Sequence, residues 1–130
     1  MLKVHHIGYA VKRLNEARKQ MEEVGYEFGS LIEDRERKIQ ISFGEKDGYR
    51  IELVRPMEKG SPIDKILADT GPVPYHICYE TDCFEKDIEH LTCGGGYRVI
   101  IPPAPAAAFG GNRVVFLYSL VLGIIEVMEC

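Results

Sequence analysis

Hydrophobic and polar positions alternate along residues 3 to 11, KVHHIGYAV, where Val4, Tyr9 and Val11 favour extended backbone, so the run predicts a strand that carries His6. The period then lengthens. Leu14, Ala17, Met21 and Val24 fall on one helical stripe, Asn15 can cap its start and Gly25 supplies a left-handed stop, which predicts an amphipathic helix of about three turns. Strands are expected near residues 26 to 33, 37 to 44 and 49 to 55, the last two joined through Gly44, Glu45, Lys46, Asp47 and Gly48. Residues 61 to 71, SPIDKILADTG, read as a linking helix with Ser61 as cap, Pro62 at the first helical position and Gly71 as stop.

At Val73 the pattern starts again. HHIGYAV of residues 5 to 11 reappears as YHICYET of residues 75 to 81, and placing His6 over His76 aligns Ile7 with Ile77 and Tyr9 with Tyr79. Asp82 and Glu85 have the spacing of a capping box, and Phe84, Ile88 and Leu91 give the next helix its buried stripe before the glycines at 94 to 96. Tyr97 to Ile101 is expected as a strand, Pro102 to Phe109 as a loop, and RVVFLYS and GIIEVME as the closing strands. The Pro/Ala loop is longer than its counterpart in the first half, and such additions often cover a site. The expectation is an α+β chain of two βαβββ modules, residues 1–57 and 73–130, within a single domain spanning 1–130.

Period two sorts the strand side chains between faces. With Ile51 and Leu53 toward the helix, Arg50 and Glu52 take the other face. The same parity is expected to send Ile39, Ile41 and Phe43 toward the helix and Gln40 and Ser42 to the face of Glu52. In the last strand Ile125 and Val127 face the helix, so Glu126 emerges on the equivalent face.

Composition narrows the class. With 45% hydrophobic and 28% charged residues the chain is globular, and no apolar run is long enough to cross a membrane. The N-terminus lacks the features of a signal peptide, which makes the cytoplasm the expected location. A net charge of −4 without a clustered Lys/Arg face argues against nucleic acid as a partner. The four cysteines, Cys78, Cys83, Cys93 and Cys130, lack paired spacing and are expected as reduced thiols.

A lone strand histidine usually packs in a core or meets water, and a lone glutamate in an apolar run often faces solvent. Recurrence at matching points of both halves changes that expectation. His6, Glu52, His76 and Glu126 form a mixed nitrogen and oxygen donor set, suited to one Zn²⁺, Ni²⁺, Co²⁺ or Mn²⁺ ion rather than Ca²⁺ or a soft thiolate metal. Four protein ligands on an octahedral ion leave two adjacent positions for substrate oxygens, which fits proton transfer beside a carbonyl. His5 points opposite His6 by parity, and His90 lies on a helix beside charged residues, so neither is expected as a ligand.

At HHIGYAV, the SPI helix start, YHICYE, GGNRVVFL and IIEVME the chain resembles the vicinal-oxygen-chelate (glyoxalase, bleomycin-resistance, dioxygenase) superfamily, over nearly all of its length. Within it the chain looks most like methylmalonyl-CoA epimerases. The resemblance implies a cup-shaped mixed sheet with the helices on its convex side. It also implies metal ligands at His6, Glu52, His76 and Glu126, a catalytic base at Glu126, and a homodimer, with the cup open to construction within one chain or across two. The epimerases' second carboxylate falls at Gln40 here, leaving Glu52 as the donor on the opposite face of the enolate. Gln40, Ser42, Arg50 and Val115 are the expected substrate contacts. After Tyr118 the chain reads SLVLG where similar epimerases carry His-Pro and a charged turn. The implied activity is a metal-dependent epimerase or isomerase acting beside a thioester carbonyl. The ligand set is also similar to that of bacterial glyoxalase I, a lyase acting on a thiol hemithioacetal, and a non-catalytic ligand-binding protein is the third reading.

Overall fold

Nine strands and three α-helices make the chain a mixed α+β protein, and the computed structural model describes all 130 residues. Two units are distinguished by their contacts. One is His6–Tyr75, the other His76–Cys130 together with Met1–His5. No helix is long and apolar enough to cross a membrane.

The first unit holds β1 (Lys3–Ala10, entering it at His6), α1 (Leu14–Glu23), β2 (Glu27–Phe28), β3 (Ile32–Asp34), β4 (Ile39–Lys46), β5 (Tyr49–Pro56) and α2 (Asp64–Thr70). β1 runs parallel to β5, β4 antiparallel to β5, and β2 and β3 each pair antiparallel with β4. α1 is laid on the sheet face that carries Ile7, Tyr9, Ile51 and Leu53, burying Leu14 beside them. The single strand expected at 26 to 33 is thus two short ones, and Gly29, between them, donates its N–H to the Phe43 carbonyl.

The β4–β5 connection is tighter than expected. It is a two-residue turn at Asp47 and Gly48, both with positive φ (53° and 83°), the backbone a type I′ hairpin needs and an Asp-Gly pair tolerates. That length decides which side chains share a face. A five-residue loop pairs odd with odd positions, whereas the two-residue turn pairs Ile41 with Val54, Ser42 with Leu53 and Phe43 with Glu52. Ile39, Ile41 and Phe43 therefore stand on the face of Glu52, and Gln40 and Ser42 on the face of α1, the reverse of the parity read from the sequence.

The second unit repeats the order with β6 (Val73–Thr81, counted here from His76), α3 (Phe84–Cys93), β7 (Arg98–Pro105), β8 (Arg113–Ser119) and β9 (Gly123–Glu129). β6 is parallel to β9, and β7, β8 and β9 are antiparallel neighbours. Phe84, Ile88 and Leu91 of α3 pack on Val115, Leu117, Ile125 and Val127. The Pro/Ala segment expected as loop continues β7 to Pro105, with register shifts around Ile101, and ends in a 3-10 turn at Ala107–Phe109. Prolines are tolerated there because β7 is the last strand of its row, and the shifts relieve the ladder where N–H donors are missing.

The helix starts also differ from expectation. Arg13, not Asn15, precedes α1, and no side chain caps it; Asn15 lies within the first turn. α2 begins at Asp64 because Ser61, Pro62 and Ile63 form a turn closed by the Asp64 carboxylate, which accepts from the N–H groups of Gly60 and Ser61. The Asp82/Glu85 capping box does not form. No side chain caps α3; Thr81, two residues before the N-cap Cys83, instead accepts from the Cys83 N–H and donates its hydroxyl to the Asp87 carboxylate. Val24 is 62% exposed and lies outside the buried stripe of α1. Gly25, with φ +107°, and Gly71, with φ +75°, stand at positive φ just past α1 and α2, as the stops expected there.

Candidate functional site

In the first unit His6 and Glu52 meet on the sheet face opposite α1. β1 presents His6 next to Ile7, whose side chain turns to the helix, and β5 presents Glu52 between Ile51 and Leu53, which do the same. Both are buried, and His6 Nε2 lies 3.4 Å from Glu52 Oε1. Phe43, directly across the hairpin from Glu52, sets its ring edge-to-face with His6, centroids 5.4 Å apart and planes at 77°.

The second unit builds the same arrangement from β6, β8 and β9. His76 and Glu126 are buried, with His76 Nε2 3.2 Å from Glu126 Oε1. Phe116 is the cross-strand partner of Glu126 and lies edge-to-face with His76, centroids 5.5 Å apart and planes at 87°. The longer loop covers this face: Ala106 and Phe109 pack with Cys78, Val114 and Met128, and Cys78 is the register partner of Glu126. His5 rests edge-on against Phe109, and His90 is exposed on α3. All four cysteines are free thiols, with Cys78 alone buried.

Each pair fits a divalent ion. With metal–ligand bonds of about 2.1 Å, two neighbouring ligands lie roughly 3.0 Å apart around an octahedral ion and roughly 3.4 Å around a tetrahedral one. The observed 3.4 and 3.2 Å fall in that range, and both exceed the spacing of about 2.9 Å that an N–H···O hydrogen bond prefers. An imidazole nitrogen and a carboxylate oxygen are also the donor types a borderline ion selects.

Three of the four expected substrate contacts stand elsewhere. Gln40 accepts a hydrogen bond of 2.7 Å from Arg55 Nε and lines a surface cleft with Leu14 and Asn15 of α1, so it is not on the face of Glu52. Ser42 is fully buried on the α1 side, its hydroxyl directed at the Gly29 carbonyl. Val115 is a core residue under α3. The reason for the first two is the hairpin register. For Val115 it is the pairing with Val127, which turns both toward α3. Arg50 keeps the parity of Glu52 and lies near the hairpin end, opposite Glu45. The two phenylalanines were not visible as site residues in the sequence, because finding them requires the cross-strand register.

Known proteins share this architecture. An ethylmalonyl-CoA/methylmalonyl-CoA epimerase of Cereibacter sphaeroides is 29% identical over 119 residues, covering 89% of this chain and 87% of that one. An uncharacterized protein of Bacillus subtilis, YqjC, is 25% identical over 118 residues, covering 90% and 83%. The crystal structure of methylmalonyl-CoA epimerase from Mycobacterium tuberculosis has the same fold, with a TM-score of 0.83 at 20% identity, covering 97% of this chain and 86% of that one. Residues 5–116 match the family profile described as the Glyoxalase/Bleomycin resistance protein/Dioxygenase superfamily. With most of its length inside that match, the chain belongs to the glyoxalase, bleomycin-resistance and dioxygenase superfamily.

Proposed function

We propose that the protein is a divalent-metal-dependent epimerase or isomerase that moves a proton on the carbon beside a thioester carbonyl, with His6, Glu52, His76 and Glu126 together holding one ion. The observation that carries this reading is the repeated pair: in each unit a buried imidazole and a buried carboxylate sit at the spacing of two adjacent ligands. The family and the epimerase relative support the choice of chemistry, since the fold by itself hosts several reactions.

A bound divalent ion would supply positive charge beside the substrate carbonyl and so favour loss of the neighbouring proton. The chain's own residues do the rest. Glu126 takes the proton, and its burial keeps water from exchanging it away. Glu52 enters the step as the carboxylic acid and gives its proton to the opposite face, which inverts the carbon and leaves Glu126 protonated and Glu52 ionised, the two exchanging parts for the reverse direction. Phe43 and Phe116 line the same faces with apolar surface, and the Ala106–Phe109 cover restricts solvent on the side of Glu126. A glyoxalase-type lyase acting on a hemithioacetal uses the same carboxylate chemistry, and the presence of a buried carboxylate in both units favours it as the second reading.

The test begins with metal content, measured before and after chelation in the wild type and in His76→Ala. A near-stoichiometric divalent ion that the variant loses is expected. Deuterium exchange into a 2-methylmalonyl thioester then supports the epimerase, and lactoyl-thiol formation from methylglyoxal supports the lyase. Failure to bind Zn²⁺, Ni²⁺, Co²⁺ or Mn²⁺ would overturn both and leave a ligand-binding protein.

A further inference from the structure

We infer that Phe43 and Phe116 are positioning residues that fix the ring orientation of His6 and His76, so that each Nε2 is presented beside its glutamate. The inference rests on the metal-site reading for its consequence but not for its observation. In both units the histidine meets a phenylalanine ring edge-to-face at nearly the same separation, 5.4 and 5.5 Å, and that phenylalanine is the direct cross-strand partner of the glutamate. One such contact is ordinary core packing. Its recurrence, on strands joined by turns of different length, links the ring to the histidine and glutamate rather than to the local sequence.

The physical need is specific. The last torsion of a histidine side chain is broad and roughly two-fold, so a buried imidazole can flip and exchange a ring nitrogen for a ring carbon at nearly constant volume. A ligand histidine cannot tolerate that exchange, because a carbon in place of Nε2 donates nothing. A T-shaped contact between the two rings distinguishes imidazole orientations through the quadrupole of the phenyl ring, which an aliphatic side chain of similar volume lacks. The phenylalanine is equally placed to limit the glutamate, since directly opposed residues of an antiparallel pair stand about 5 Å apart at Cβ. One ring therefore restrains both members of its pair.

The experiment compares wild type, Phe43→Leu, Phe116→Leu and the double variant, with Phe43→Tyr and Phe116→Tyr keeping the aromatic face. Histidine side-chain NMR of the metal-free proteins reads ring orientation, Co²⁺ titration followed by its visible absorption reads affinity, and thermal melts report whether each variant folds. A single ring environment for His6 and His76 is expected in the wild type and the tyrosine variants, and averaged or doubled signals in the leucine variants. Each leucine is expected to weaken Co²⁺ binding on the order of 10-fold, the size typical of residues that orient a ligand, while tyrosine restores it. Leucine variants with unchanged histidine signals overturn the inference whether or not metal binds. Loss of the single ring environment in a protein whose wild type binds no metal supports the positioning role and overturns the metal-site reading instead. If the leucine variants unfold, the tyrosine variants decide: disordered histidine signals in a folded tyrosine variant would contradict the role assigned to the aromatic face.

Discussion

Gly44 and Phe28 are register partners across β2 and β4, and the Phe28 ring lies over the glycine so closely that a Cβ there would stand 2.4 to 2.8 Å from three ring carbons. Phe28 is packed against the cluster under α1 and cannot swing freely aside. Gly44→Ala should therefore destabilise the protein by about 1–3 kcal/mol, the usual cost of overpacking, measured by denaturant unfolding. Combining it with Phe28→Leu should recover part of the loss. Additive effects of the two changes would show that the ring is not the obstacle.

Thr81 stands just before α3, bonding both the Cys83 N–H and the Asp87 carboxylate. Thr81→Ala should cost about 0.5–1.5 kcal/mol, the net worth of a hydrogen bond, and Thr81→Ser should restore most of it. Equal melting temperatures for the alanine and wild-type proteins would show that Asp82 or water substitutes for the hydroxyl.

The proton-transfer role proposed for Glu126 is separable from the fold. Glu126→Gln keeps the volume and one oxygen but removes the base, so turnover of the thioester should fall on the order of a thousandfold or more while bound metal remains. Metal content by elemental analysis, set beside the rate of deuterium exchange, distinguishes loss of the base from loss of the ion. Unimpaired exchange would assign the base elsewhere.

Arg113 gives the fold a specific acid sensitivity. Its guanidinium donates to Glu129 Oε1 at 2.7 Å and Oε2 at 3.0 Å and to Glu85 Oε1 at 2.6 Å, and it lies over the Phe84 ring. These hydrogen bonds hold both carboxyls below their ordinary range in the folded protein. Groups with depressed folded pKa values stabilise the fold fully above the unfolded value of about 4.3 and lose that contribution as pH falls through the lower folded values. The melting-temperature gap between wild type and Arg113→Ala should accordingly hold steady from neutral pH to about 5 and shrink below about 4.3. A residual gap at low pH would measure the guanidinium's packing on Phe84. A gap that widens on acidification would contradict the assignment.

The two buried His/Glu pairs and the order of elements were legible in the sequence because they are written twice. His6 over His76 and Glu52 over Glu126 stand out as coincidences that single motifs do not provide, and the stripes of Leu14, Ala17 and Met21 and of Phe84, Ile88 and Leu91 have the spacing of buried helix faces. The face of β4 was not legible, since it depends on whether the hairpin turns in two residues or five, and the run from Gly44 to Gly48 permits both. Only the paired positive φ angles at Asp47 and Gly48 resolve it. Helix starts failed for a related reason: Asn15, Ser61 and Asp82 are competent caps by type, but capping needs the chain to bend at the right residue, and Arg13, Ile63 and Cys83 are where it bends.

The two hairpins close over different distances, two residues between β4 and β5 and three, Leu120 to Leu122, between β8 and β9. Phe43 consequently precedes its glutamate by nine positions and Phe116 by ten, although the two pairs are structurally equivalent. A gap-free alignment of the halves anchored on Glu52 and Glu126 would set Phe116 against Ser42, a buried residue of the other face, and the shared aromatic would vanish from view. The hairpin tips differ in length while the cross-strand pairing of phenylalanine with glutamate beneath them is the same. Correspondence between the two halves around these glutamates is therefore to be traced through ladder register, with the one-residue difference assigned to the tip.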